Sequence, residues 1–157
     1  MTKNIPDPPY EGGCQCGNVR YRVTAKPLSV YTCSCTECQR QAGGAFNMSM
    51  LVPMDGLEIL KGELETTQRT ADSGNKVTGF FCTGCGNRIY HQRENAEVYT
   101  LRPGTLDDTK WLNPVAMVWT SSKQAWVQIP EGMRTYEKQP EKFSDLMELY
   151  ATDQSDA

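Results

Sequence analysis

Seven cysteines, spaced as a pair, a triplet and a pair, constrain this chain more than any other feature. Cys14 and Cys16 sit in GGCQCG, Cys33, Cys35 and Cys38 in TCSCTECQR, and Cys82 and Cys85 in FCTGCG. The two pairs supply four sulfurs, enough to close a tetrahedral structural zinc site. The triplet supplies three, and three protein ligands with one exchangeable position is the form that a catalytic zinc takes. The spacing therefore leads us to expect two zinc ions per chain, one structural and one catalytic. Other closures stay open at this point. His91, the sole histidine, or an aspartate or glutamate could complete the triplet, and the pairs could be buried thiols or a disulfide.

An odd number of cysteines strands one thiol if they pair as disulfides, so metal in a reducing compartment is the better expectation. The start, MTKNIPDPPYEGG, has no apolar core of the secretory kind, and no apolar run is long enough to span a membrane. A cytoplasmic protein with no membrane partner is expected. The formal net charge is -3, and cysteine thiolates binding zinc would make it more negative. That disfavours binding driven by nucleic-acid phosphates.

The 157 residues suffice for one domain with a tail. Residues 1–11 read as an arm, 12–140 as the zinc-binding domain and 141–157 as a C-terminal helix and tail. Asn18 to Thr24 alternates, with Val19, Tyr21 and Val23 on one face and Arg20 and Arg22 on the other, as in a half-buried strand. Leu28 to Thr32 reads as a strand entering the triplet. TECQRQAGG reads as a short helix, capped by Thr36 and ended by Gly43 and Gly44. Further strands are expected at 45–52, 57–61, 65–70, 76–81, 87–92, 97–101, 115–120 and 124–129. The last two carry Trp119 and Trp126, expected with Trp111 to pack in the core. Asp107 and Asp108 read as a turn. Phe143, Leu146, Met147 and Tyr150 recur at helical spacing, so an amphipathic helix should dock on the sheet. The fold class is mainly β.

GGCQCG, CSCTECQR with a following small-residue patch and Phe46, FCTGCG, TLRPGTLDD and a late AWVQIP occur here in that order. In this the chain resembles the glutathione-dependent formaldehyde-activating enzyme family, whose domain is shared by centromere protein V. The resemblance spans roughly Gly12 to Pro140. It implies an Mss4-like fold of zinc-stabilised β-sheets with short helical turns. It implies that Cys14, Cys16, Cys82 and Cys85 hold a structural zinc, and that Cys33, Cys35 and Cys38 hold a catalytic one. Many members carry His or Asn where this chain has Ser34 between the first two triplet cysteines.

The expected activity is a carbon–sulfur lyase that makes or splits a thiol–aldehyde adduct. Glutathione and formaldehyde are the substrates that the resemblance implies. A zinc bound by three thiolates is an anionic centre, and a fourth thiolate, from the substrate, makes it more so, so that a nearby cation would help. Arg40, just past the triplet, is the first candidate, with Arg20, Arg88 and Arg102 as further clamps for substrate carboxylates. The alternative is a non-catalytic zinc module that binds a protein partner.

Overall fold

The structure, a computed structural model, describes residues 4–155. Among these, eleven strands and two α-helices make a mainly β chain. It divides into two compact units, one built from Pro6–Pro27 and Leu51–Trp111, the other mainly from Leu28–Met50 and the chain from Leu112 onward.

In the first of these units, β1 (Tyr10–Gly13), β2 (Arg20–Val23) and β5 (Leu57–Lys61) form a three-stranded antiparallel sheet with β2 in the middle. The alternation expected for β2 holds. Tyr21 and Val23 are fully buried, while Arg22 pairs with its register partner Glu11. Arg20 is gripped by both oxygens of Asp107, so this aspartate does more than form a turn. Asp108 does serve the turn, accepting from the Lys110 amide at 3.1 Å. β1 is a strand at residues where none was expected from the sequence. The reason is close packing: a Cβ at Gly12 would lie 2.5 Å from the Tyr21 hydroxyl.

The same unit holds an antiparallel run of β6 (Glu65–Thr70), β7 (Lys76–Phe81), β8 (Arg88–Arg93) and β9 (Val98–Leu101), hydrogen-bonded in sequence order. On one face Phe80 stacks on Tyr90 at 4.3 Å, and Tyr90 meets Tyr99. On the other face Gly79, His91 and Thr100 lie side by side in register, all buried. Burial drives the His91 pKa well below its ordinary value, helped by Arg102, Arg93, Arg88 and Arg69.

β4 (Asn47–Pro53) passes from one unit into the other between Met50 and Leu51. In the second unit β3 (Ser29–Cys33) lies between β10 (Ala116–Val118) and β4, and β11 (Arg134–Thr135) flanks β10. The pairings of β10 with β3 and with β11 are parallel. Every residue of β3 is buried, as expected for a central strand covered by a helix. That helix is α2 (Ser144–Ser155), which docks with Leu146 and Tyr150 buried. Ser29 Oγ donates to the Leu146 carbonyl at 2.8 Å, and Tyr31 meets Phe143 edge to face.

One expected strand is absent. Residues 124–129 form turns, with the Val127 amide donating to the Gln124 carbonyl. Lys123 Nζ occupies the carbonyls of Gln124 and Val127, and Pro130 has no amide to offer a ladder. Trp126 is therefore 70% exposed rather than in the core, and Trp111 and Trp119 are only half-buried.

Two outcomes follow from this packing. Leu146→Ala should cost about 2–5 kcal/mol in urea unfolding; a loss under about 1 kcal/mol would mean that α2 is not part of the core. His91 stays neutral when folded but takes up a proton when unfolded, near its ordinary value of 6.5. Stability is then full above that value and falls as pH drops below it, by up to about 1.4 kcal/mol per pH unit. His91→Gln should flatten the stability profile between neutral and mildly acidic pH, and an unchanged slope would refute this.

Candidate metal centres

Cys14 and Cys16 lie on the turn after β1, and Cys82 and Cys85 on the turn between β7 and β8. Their four sulfurs all lie within 4.8 Å of one another. Cys16 Sγ is 3.5 Å from Cys14 Sγ and 3.7 Å from Cys82 Sγ. Tetrahedral zinc with bonds of about 2.3 Å places its sulfurs about 3.8 Å apart, so this donor set fits zinc. All seven cysteines are free thiols, which removes the disulfide alternative.

The two turns are built alike. The Gly17 amide donates to the Cys14 carbonyl at 3.1 Å, and the Gly86 amide to the Cys82 carbonyl at 2.7 Å. Each turn aims amides at sulfur. Val19 N donates to Cys14 Sγ at 3.2 Å, and the Asn87 and Cys16 amides lower the Cys85 pKa. Burial raises Cys14, but the Val19 amide and the neighbouring thiols outweigh it and bring the pKa down to about 6. Gln15 N donates to Asn87 Oδ1, tying one turn to the other.

The triplet is built differently. Cys33 ends β3, Cys35 is the N-cap of α1 (Thr36–Ala42), and Cys38 lies in that helix's first turn. Thr36 was the expected cap, but the sulfur of Cys35 takes the role, accepting from the Cys38 amide at 3.3 Å. Gly43 closes the helix in the left-handed conformation. The three sulfurs lie within 4.8 Å of one another. Among the described residues no histidine, aspartate or glutamate is grouped with them within that distance. Hydrogen bonds from the Cys33 and Cys38 thiols pull Cys35 far down, while the same contacts and burial push Cys33 up. Three sulfurs competing for protons form a donor set that suits a cation.

Sequence reasoning missed the residues that hold the triplet in place. Gln39, beside Cys38, donates to the carbonyls of Ser34 at 2.8 Å and Ser122 at 2.9 Å. Ser122 Oγ donates to the same Ser34 carbonyl, and Ser34 N donates to the Val118 carbonyl. Gln124 donates to Gln39 Oε1, and the Trp126 indole donates to Gln124 Oε1 at 2.7 Å. Asn47 fixes the Cys38 carbonyl. These partners are distant in sequence and ordinary in type, so no local signal marks them. Ser34 itself is fully buried, and its hydroxyl has no hydrogen-bond partner.

Arg40 lies exposed in the last turn of α1, about 200° around the helix from Cys38. Arg20 is committed to Asp107. Arg88 and Arg102 belong to the unit of β6–β9.

The donor sets and the strands mark this chain as a mainly β protein able to hold two metal ions in cysteine centres, one of four sulfurs and one of three. The model of the glutathione-dependent formaldehyde-activating enzyme family matches residues 9–122, and the chain belongs to that family. α2 lies beyond the matched residues. The fold is similar to the crystal structure of a Rhodobacter sphaeroides protein, with a TM-score of 0.52 and 24% identity, over 64% of this chain and 90% of that one. Among the described residues no helix is long and apolar enough to cross a membrane.

Metal counting by native mass spectrometry separates the two centres. Cys82→Ser should lose one metal ion and lower the melting temperature by roughly 10 °C or more. Cys35→Ser should also lose one ion, at a smaller cost in stability. Loss of both ions from either variant, or an unchanged count, would contradict two independent centres.

Proposed function

We propose that the chain is a zinc-dependent carbon–sulfur lyase whose active centre is Cys33, Cys35 and Cys38. It would join glutathione and formaldehyde into S-hydroxymethylglutathione and split that adduct in reverse. The observation that carries this reading is the contrast between the clusters. Four cysteines complete one set, while the other has three donors and no fourth among the described residues. Membership of a family named for glutathione-dependent formaldehyde activation supports the substrate pair. Free thiols throughout suit a cytoplasmic setting.

Zinc bound at the triplet would supply a positive centre that lowers the pKa of a substrate thiol and polarises a carbonyl. In the forward direction the thiol sulfur forms a bond to the aldehyde carbon. The carbonyl π pair moves to oxygen, and the thiol proton ends on that oxygen. No protein nucleophile is consumed, so the work left to the chain is positioning. Cys35 couples the donor set to α1 through its cap bond. Gln39 fixes the Ser34 carbonyl, and with it the backbone between Cys33 and Cys35. Arg40 contributes exposed positive charge near an anionic centre and is proposed to attract a substrate carboxylate.

A second reading is a non-catalytic module that binds a protein partner, for which the exposed indole of Trp126 speaks. Exchange of the glutathione–formaldehyde adduct followed by NMR decides between them. The zinc-loaded enzyme should accelerate exchange, and Cys35→Ser should abolish the acceleration. Gln39→Ala should lower kcat/KM about tenfold, which is about 1.4 kcal/mol. Arg40→Gln should raise KM about two- to fivefold with kcat unchanged, the worth of an exposed ion pair. No acceleration by the wild-type protein with several thiols and aldehydes would favour the binding module.

A further inference from the structure

The sheet of β6–β9 has one face on which Phe80, Tyr90 and Tyr99 pack, and its opposite face is rich in arginine. On that face Thr67, Gly79, His91 and Thr100 form one row, and Arg69, Val77 and Arg93 the next. The register slips between Phe80 and Phe81, which sets Arg88 opposite Phe81. The Arg88 side chain then folds back over Gly79. A Cβ at Gly79 would lie 2.2 Å from Arg88 Cζ, 2.4 Å from Nη1 and 2.5 Å from Nη2. Gly79 is thus a seat for a guanidinium, and alanine cannot replace it without displacing the arginine. Arg102 follows β9, is 9% exposed, and is anchored by its amide on the Ile89 carbonyl at 2.8 Å.

Arginines outnumber carboxylates on this face, where Glu65 pairs with Phe81 in the row of Arg88. Burial lowers the Arg88 pKa, and then Arg102 and Arg69 lower it further. The charged groups that bear on His91 are Arg102, Arg93, Arg88 and Arg69. Arg88 Nε is buried with no hydrogen-bond partner. A half-buried guanidinium among like charges costs stability unless an anion meets it. The planar donor fork of arginine matches the oxygens of a carboxylate or a phosphate.

We propose that Arg88, seated on Gly79 and flanked by Arg69 and Arg102, is the centre of a binding site for a small oxyanion, the chemistry shared by carboxylate and phosphate groups. The site is built within one unit and does not depend on what the triplet does. Its ligand is recognised by bidentate contact with Arg88.

The test is a titration of the zinc-loaded protein with inorganic phosphate and, separately, with succinate, at constant ionic strength against chloride. The Arg88 Nε–H signal in ¹H–¹⁵N NMR and calorimetry are the readouts. Saturable binding with Kd of about 1 mM or below is expected, with a shift of the Arg88 signal. Binding of phosphate alone or of succinate alone supports the site and assigns it to that anion. Arg88→Gln should weaken binding at least tenfold, and Gly79→Ala should do the same by displacing the guanidinium. Failure of both anions to move the wild-type Arg88 signal would overturn the proposal, and so would equal affinity in a folded Arg88→Gln variant. If neither variant folds, the wild-type signal alone decides. Metal counts and adduct exchange report on the triplet, so a failure here is distinct from a failure there.

Discussion

Sulfur packed against sulfur is the constraint on which the rest of this structure depends. In the four-cysteine set, Cys16 lies 3.5 Å from Cys14 and 3.7 Å from Cys82. That is far beyond the roughly 2.05 Å of a disulfide and close to the edge of a zinc–sulfur tetrahedron. Thiolates this close repel one another unless a cation sits among them. The protein prepares for such a cation by pointing amides from Val19, Asn87 and Cys16 at the sulfurs. The two turns that carry the set are 66 residues apart in sequence. Holding them together fixes the exit of β1 and the β7–β8 connection at one stroke, as a structural metal does in a small sheet.

The triplet solves a related problem with helix chemistry. Cys35 is both a candidate metal donor and the cap of α1, so the first turn of α1 presents Cys38 beside it. A side-chain network through Gln39 and Ser122 then fixes the carbonyl of Ser34, between the other two donors. The result is a three-sulfur set whose backbone is tied down on both sides of Ser34. Under the proposed function, the fourth position of a metal held there is left to the substrate thiol.

The cysteine spacing made both donor sets legible in the sequence, because ligand pairs in glycine-flanked turns leave a local trace. So did β2, whose apolar and charged residues alternate, and α2, whose apolar residues recur at helical spacing. The failures share a cause: long-range contacts overrode the local pattern. β1 was hidden because Gly12 and Gly13 are poor strand formers, yet only glycine lets the Tyr21 ring pass. Residues 124–129 hold Trp126, Val127 and Ile129, types common in strands, but Lys123 occupies the carbonyls of Gln124 and Val127 and Trp126 stays outside. Gln39 gave no signal because its partners, Ser122 and Gln124, lie more than 80 residues away. The arginine-rich face of β6–β9 was visible only as scattered arginines until the register aligned them around His91.

The central claim is that the three-cysteine centre keeps a position open for a substrate thiol. X-ray absorption at the zinc edge, on the two-zinc protein with and without excess glutathione, tests it most directly. The account expects seven protein sulfurs and one light oxygen or nitrogen donor shared by the two ions, changing to eight sulfurs when glutathione is added. A light donor that stays in place at every glutathione concentration would contradict it, because the triplet would then be a closed site.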